Sequence, residues 1–141
     1  MLSATSEYAL RAVVGLAQLP GGQMVGGQEL AASCEIPASY LSKILRTLRE
    51  AGLVEAVRGV HGGYKLHRTA ADIHIVDVVA LFEGGQTEPR CLLGEGYCTE
   101  DVACSAHTRY RKVRTAYINF LETTTIKQIA KKKSEKCKKK S

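Results

Sequence analysis

A chain of 141 residues with 45% hydrophobic side chains has room for one compact core, which argues against global disorder and against two full-sized domains. No apolar run approaches the roughly eighteen residues of a membrane-spanning helix. The formal charge of +6 is unevenly spread: residues 127–141 carry +7 and residues 1–126 sum to −1, while residues 39–68 alone hold +4. A basic patch on an otherwise acidic body is a local footprint of the kind nucleic acid selects.

Residues 5–19 predict a helix, with Ala9, Val13 and Leu16 recurring beside Leu10, Val14 and Ala17. Pro20-Gly21-Gly22 stops it. A short helix is expected at about 28–34, and Ile36-Pro37 separates it from a longer one at about 38–51 that Gly52 ends. On the longer helix Leu41, Ile44, Leu45 and Leu48 share one face, and Ser39, Tyr40, Ser42, Lys43, Arg46 and Arg49 share the other. The pair reads as a helix-turn-helix whose second helix suits a DNA major groove. The plainer alternative is a helical hairpin with a solvated basic face.

After Gly52 the period shortens. Residues 53–58 and 64–66 predict two short strands around Gly59-Val60-His61-Gly62-Gly63, a hairpin tipped by Arg58 and His61. Helices followed by such a wing make a winged-helix domain, with Arg58 near a phosphate or the minor groove and with Gly62 and Lys65 on the same DNA-facing element. His61 alone would pass as an ordinary surface residue. Residues 72–82 predict another amphipathic helix through Ile73, Val76, Val79 and Ala80.

No regular pattern covers residues 86–104. From Ser105 to about Thr123 a long helix is expected, with Ala106, Tyr110, Val113, Tyr117 and Phe120 at steps of 4, 3, 4 and 3. That spacing wants a second helix, most simply its own copy in a two-fold dimer. Folding back on the same chain is the alternative. Thr124 and Thr125 suggest a cap for a final turn with Ile126, Ile129 and Ala130.

Cys91, Cys98 and Cys104 fall in the loop, and His107 follows three positions later. Three thiols and an imidazole within seventeen residues form a candidate metal site suited to an iron–sulfur centre or zinc. The gaps of six and five residues miss the close cysteine pairs of structural zinc, and redox-active or inert thiols stay open. Cys34 reads as a buried small side chain, and Cys137 lies among lysines. An odd total of five cysteines does not suit a secreted disulfide framework. Glu7 and Arg11 interrupt the apolar N-terminal stretch, and no basic leader precedes it. A cytoplasmic, non-membrane protein is expected. An enzyme would need a nucleophile, base and orienter, and only the same cysteines and His107 are available.

The chain resembles the Rrf2 family of bacterial transcription regulators over essentially residues 1–130. The resemblance rests on Thr5-Ser6-Glu7-Tyr8-Ala9-Leu10-Arg11-Ala12, on Ile36-Pro37-Ala38-Ser39-Tyr40-Leu41-Ser42-Lys43-Ile44-Leu45, on Leu48-Arg49-Glu50-Ala51-Gly52-Leu53-Val54, on Val57-Arg58-Gly59-Val60-His61-Gly62-Gly63-Tyr64-Lys65-Leu66, and on the cysteine loop. It implies a homodimeric regulator on a pseudo-palindromic double-stranded operator. Its fold would be mostly α with a small β-wing: a winged helix-turn-helix domain (1–82), a cluster-binding loop (83–104) and a dimerisation helix with a short terminal turn (105–130). Outside the resemblance, the Lys-rich tail (131–141) has no apolar periodicity and is expected to be disordered. By the same resemblance, Cys91, Cys98, Cys104 and His107 match the ligands of a [2Fe–2S] cluster in the cluster-assembly regulator. In nitric oxide sensors of the family the three cysteines hold a [4Fe–4S] cluster, and an acidic residue of the partner's first helix, matching Glu7, is the fourth ligand. The first gap is one residue longer here than in the assembly regulator, and Ser42 stands where that regulator has a glutamate used in discriminating site classes. A winged-helix protein with structural zinc or redox thiols and no cluster is the alternative.

Overall fold

A computed structural model describes residues 2–84, 92–93 and 105–130. Cys91, Cys98, Cys104 and Cys137, most of the 83–104 loop and the Lys-rich segment 131–141 lie outside the described residues. Among those described, the chain is mostly helical with a single two-stranded sheet. The order is α1 (Ala4–Ala17), α2 (Gly27–Cys34), α3 (Ala38–Glu50), β1 (Val54–Val57), β2 (Gly63–Leu66), α4 (Ile75–Val79), α5 (His107–Thr123) and α6 (Ile126–Ala130).

The core follows from the helical period. Ala9, Ala12, Val13 and Leu16 of α1 meet Leu30 and Ala31 of α2 and Leu41, Ile44, Leu45 and Leu48 of α3, all buried. α2 ends where Glu35 turns left-handed (φ 55°), and Ile36 N–H bonds back to Ala31 O at 2.9 Å. The chain therefore reverses within three residues (35–37) and starts α3 at Ala38, with Pro37 as its N-cap.

β1 and β2 pair antiparallel from Val54↔Leu66 to Val57↔Gly63. The other edge of β2 is held by Val25, which exchanges two backbone hydrogen bonds with Tyr64 (3.1 and 2.8 Å). A Cβ on Gly63 would stand 2.7 Å from Val25 O, so only glycine allows that close approach.

The helix expected at 72–82 is shorter and differently registered. Ile73 and His74 are extended, because Ile75 N–H bonds Thr124 O (3.0 Å) and Ile126 N–H bonds Ile73 O (2.8 Å). Asp77 then accepts from His74 N–H (2.8 Å) and starts the helix at Ile75. As a result Ile73, Ile75, Val78 and Val79 are buried, while Val76 is half-buried and Ala80 is exposed. Thr125 caps α6: its Oγ accepts from Gln128 N–H (3.2 Å), and Gln128 Oε1 accepts from Thr125 N–H (2.8 Å). Ile126 is fully buried in the same core as α1.

Candidate nucleic-acid interface and metal site

The high-contrast amphipathicity of α3 leaves Ser39, Tyr40, Ser42, Lys43, Arg46 and Arg49 exposed, while its four apolar residues anchor it. Arg46 meets Glu50 one turn on (3.3 Å), both strongly exposed. Such a pair contributes well under ~1 kcal/mol and is easily exchanged for a phosphate. Ser42 donates to Ala38 O (3.1 Å) and Thr47 to Lys43 O (3.2 Å), each bonding back along the helix. Beside this face Ser42, Arg46, Arg49 and Glu50 of α3 and Tyr64 of β2 line an open groove of about 440 Å³. The exposed face of α3 and the wing thus border one another.

The wing exposes Arg58, Val60 and His61, and Gly62 N–H donates to Gly59 O (3.0 Å) to close the tip. Lys65 lies lower on the wing and is engaged: its Nζ is 3.0 Å from Glu55, its partner in the strand register, and His67 Nδ1 is 2.9 Å from the same carboxylate. The hydrogen bond from His67, then that from Lys65, holds the Glu55 carboxyl below its usual range. Lys65 therefore presents less free charge than Arg58 or Arg49.

Behind α3 lies a support that no local sequence pattern reveals. Arg11 of α1 donates from Nη1 to Cys34 O (3.5 Å) and Glu35 O (3.4 Å), the carbonyls of the last residue of α2 and of its C-cap. Its guanidinium also lies 5.2 Å from the centre of the Tyr8 ring, and Tyr8 stands 6.2 Å from Tyr40, tilted by 51°. An arginine inside an apolar helix is the one signal visible along the chain, but the carbonyls it bonds are more than twenty residues away.

A second cluster ties the α1 N-terminus to residue 83. The Glu83 carboxylate accepts from Ser3 N–H (3.0 Å), Ser3 hydroxyl (2.9 Å) and Ser6 hydroxyl (2.5 Å). These bonds, Ser6 first, lower the Glu83 carboxyl below its usual value. Ser6 is completely buried, and the nearby Glu83 charge adds to burial in raising the Tyr117 hydroxyl on α5. Glu83 opens the cysteine-bearing segment, so this cluster joins that segment's entry to α1.

Of the expected metal ligands, His107 is the first residue of α5 and is buried at 8% exposure. Glu7 lies exposed on α1. No cluster of three candidate ligands occurs among the described residues, and the three loop cysteines are not among them. The donor set itself, three thiols preceding a buried imidazole, suits a thiophilic centre. Along α5, Leu121 is buried and Tyr117 half-buried, but Val113 is 62% and Phe120 49% exposed. Two of the five residues of the expected apolar stripe, Val113 and Phe120, are therefore uncovered in a single chain. Among the described residues no helix is long and apolar enough to cross a membrane.

A family model described as Rrf2, iron-dependent transcriptional regulator, matches residues 2–132. An HTH-type transcriptional regulator of Mycobacterium tuberculosis is 37% identical over 130 residues, covering 92% of this chain and 80% of the relative. The HTH-type transcriptional regulator IscR of Vibrio campbellii is 31% identical over 130 residues, covering 92% and 77%. Among solved structures, CymR, the global cysteine regulator of B. subtilis, superposes with a TM-score of 0.79 at 26% identity, over 93% of this chain and 96% of that one. T. potens IscR superposes at 0.75 with 27% identity, over 96% and 89%.

Proposed function

Because the chain belongs to the Rrf2 family of transcriptional regulators, we propose that it is a cytoplasmic homodimer that reads a pseudo-palindromic operator and is controlled by an iron–sulfur cluster. Its relatives are DNA-binding regulators rather than enzymes. The observation that carries the DNA-reading role is the exposed face of α3, Ser39 to Arg49, bordering the wing across one groove. The N-terminal residues of such a helix reach base edges, while Arg46, Arg49 and Arg58 contact phosphates and set the register. Two copies joined through Val113 and Phe120 of α5 would present two such faces to one duplex.

Cys91, Cys98, Cys104 and His107 would hold the cluster, with [2Fe–2S] favoured over [4Fe–4S]. His107 supports this assignment, being a buried imidazole three residues beyond Cys104. When bound, the cluster supplies a redox- and ligand-sensitive tie between the loop and the base of α5. The chain's own residues do the rest. Glu83 holds the loop's entry to Ser3 and Ser6, so a rearranged loop bears on α1, which packs directly against α3. DNA affinity changes if the two loop states differ in how they hold α1.

The test is oxygen-free purification followed by binding to a duplex selected by the protein from a random pool. Brown protein with stoichiometric iron and sulfide, and different affinities with and without the cluster, is the expected result. Equal affinities refute the sensing role. Colourless protein with bound zinc favours a structural metal.

A further inference from the structure

The geometry points to Tyr8 of α1, braced by Arg11, as a positioning residue that orients Tyr40 for base reading and so determines operator specificity from a helix behind the DNA-reading one. The inference rests on the DNA-reading assignment of α3.

Tyr40 occupies the third position of α3, in the turn whose side chains reach base edges in a helix-turn-helix. It is 55% exposed, so the core does not hold its ring. A loosely held tyrosine must be ordered when it docks, which weakens specific binding. The Tyr8 ring stands at 6.2 Å and 51°, within the range where tilted aromatic pairs attract. Tyr8 is in turn held from behind by the Arg11 guanidinium at 5.2 Å, within cation–π range. Arg11 is itself fixed by the Cys34 and Glu35 carbonyls, the end of α2. Neighbouring Ala9 and Ala12 are completely buried, so α1 is a rigid base for both rings. The Tyr40 ring thus rests on a support running from the α2 terminus through Arg11 and Tyr8, and none of the three supporting groups lies on α3.

The experiment measures wild type, Tyr8→Leu, Tyr8→Phe, Tyr40→Leu and the double variant Tyr8→Leu/Tyr40→Leu on a pool-selected duplex and on an unselected duplex of equal length, with thermal midpoints alongside. Tyr8→Leu should weaken binding to the selected duplex by about three- to tenfold, the cost of ordering one freed side chain. It should keep its affinity for the unselected duplex and its thermal midpoint, and lose base preference at the positions that Tyr40→Leu also flattens. Tyr8→Phe, which keeps the ring, should bind like wild type. In the Tyr40→Leu background, Tyr8→Leu should have no further effect. An equal weakening on both duplexes, a full additional weakening in the Tyr40→Leu background, or no weakening at all would overturn the inference. Wild type that selects no sequence would overturn the DNA-reading assignment itself, and this inference with it.

Discussion

Replacing Gly62 by alanine tests the wing without touching a recognition side chain. A Cβ there would lie 2.0 Å from Val57 O, 2.8 Å from Val57 C and 2.9 Å from Arg58 C. Ordinary contact requires more than about 1 Å of additional separation from that oxygen. The obstructing atoms are backbone, so no rotamer change relieves the overlap. The tip must open, giving up the Gly62 N–H bond to Gly59 O and the Val57↔Gly63 rung. Each broken bond costs about 0.5–1.5 kcal/mol net, so Gly62→Ala should cost about 1–3 kcal/mol. The damage stays local, because Leu53 and Val54 at the base of the hairpin are buried in the core. Arg58 adjoins the tip and is displaced with it. The slope of log affinity against log salt should fall by about 0.9 for each phosphate that is no longer neutralised, with roughly tenfold weaker binding at constant salt. Fluorescence anisotropy of a labelled selected duplex across a salt series measures both, and a circular dichroism melt checks folding. A variant that stays folded with unchanged affinity and salt slope would show that the wing tip does not touch DNA.

Cys98→Ser and His107→Ala, purified without oxygen, should each lose iron and visible absorbance relative to wild type while keeping helical content; full iron retention in both would remove them from the ligand set. Val113→Asp combined with Phe120→Asp should convert a dimer into a folded monomer by light scattering, because both side chains are uncovered in one chain. The Glu83 carboxyl is held below its usual value by Ser6 and Ser3, so its stabilisation is complete above the ordinary carboxylate range and is lost as pH falls through the lowered value. Glu83→Gln should therefore flatten the acid side of the stability–pH profile, and an unchanged slope between neutral and acid pH would refute the clamp. Leu48→Ala removes a fully buried side chain from the back of α3 and should cost about 2–5 kcal/mol in denaturant unfolding.

The elements most legible in the sequence are those whose function is local. The period of Leu41, Ile44, Leu45 and Leu48 names the buried face of α3, and the remaining positions become its exposed basic face by geometry alone. The glycines between Val57 and Tyr64 announce a tight hairpin tip, because backbone must approach backbone there. In the segment around Ile73 the same reasoning fails: the pattern fits a helix, but long-range bonds to Thr124 and Ile126 pull Ile73 and His74 into an extended bridge and delay the helix to Ile75.

For the site, the sequence by itself determined which polar and basic residues share the exposed face of α3 and which thiols and imidazole crowd one segment, since both follow from residue type and short spacing. Only the tertiary structure decided that Tyr8 meets Tyr40, that Arg11 closes the end of α2, that Lys65 is shared with Glu55, and that Glu83 is bound by Ser3 and Ser6 some eighty residues earlier. The physical reason is range. Hydrophobic period repeats every few residues and can be read along the chain, whereas a hydrogen bond or ring contact between distant residues exists only once the helices have packed and set their separation.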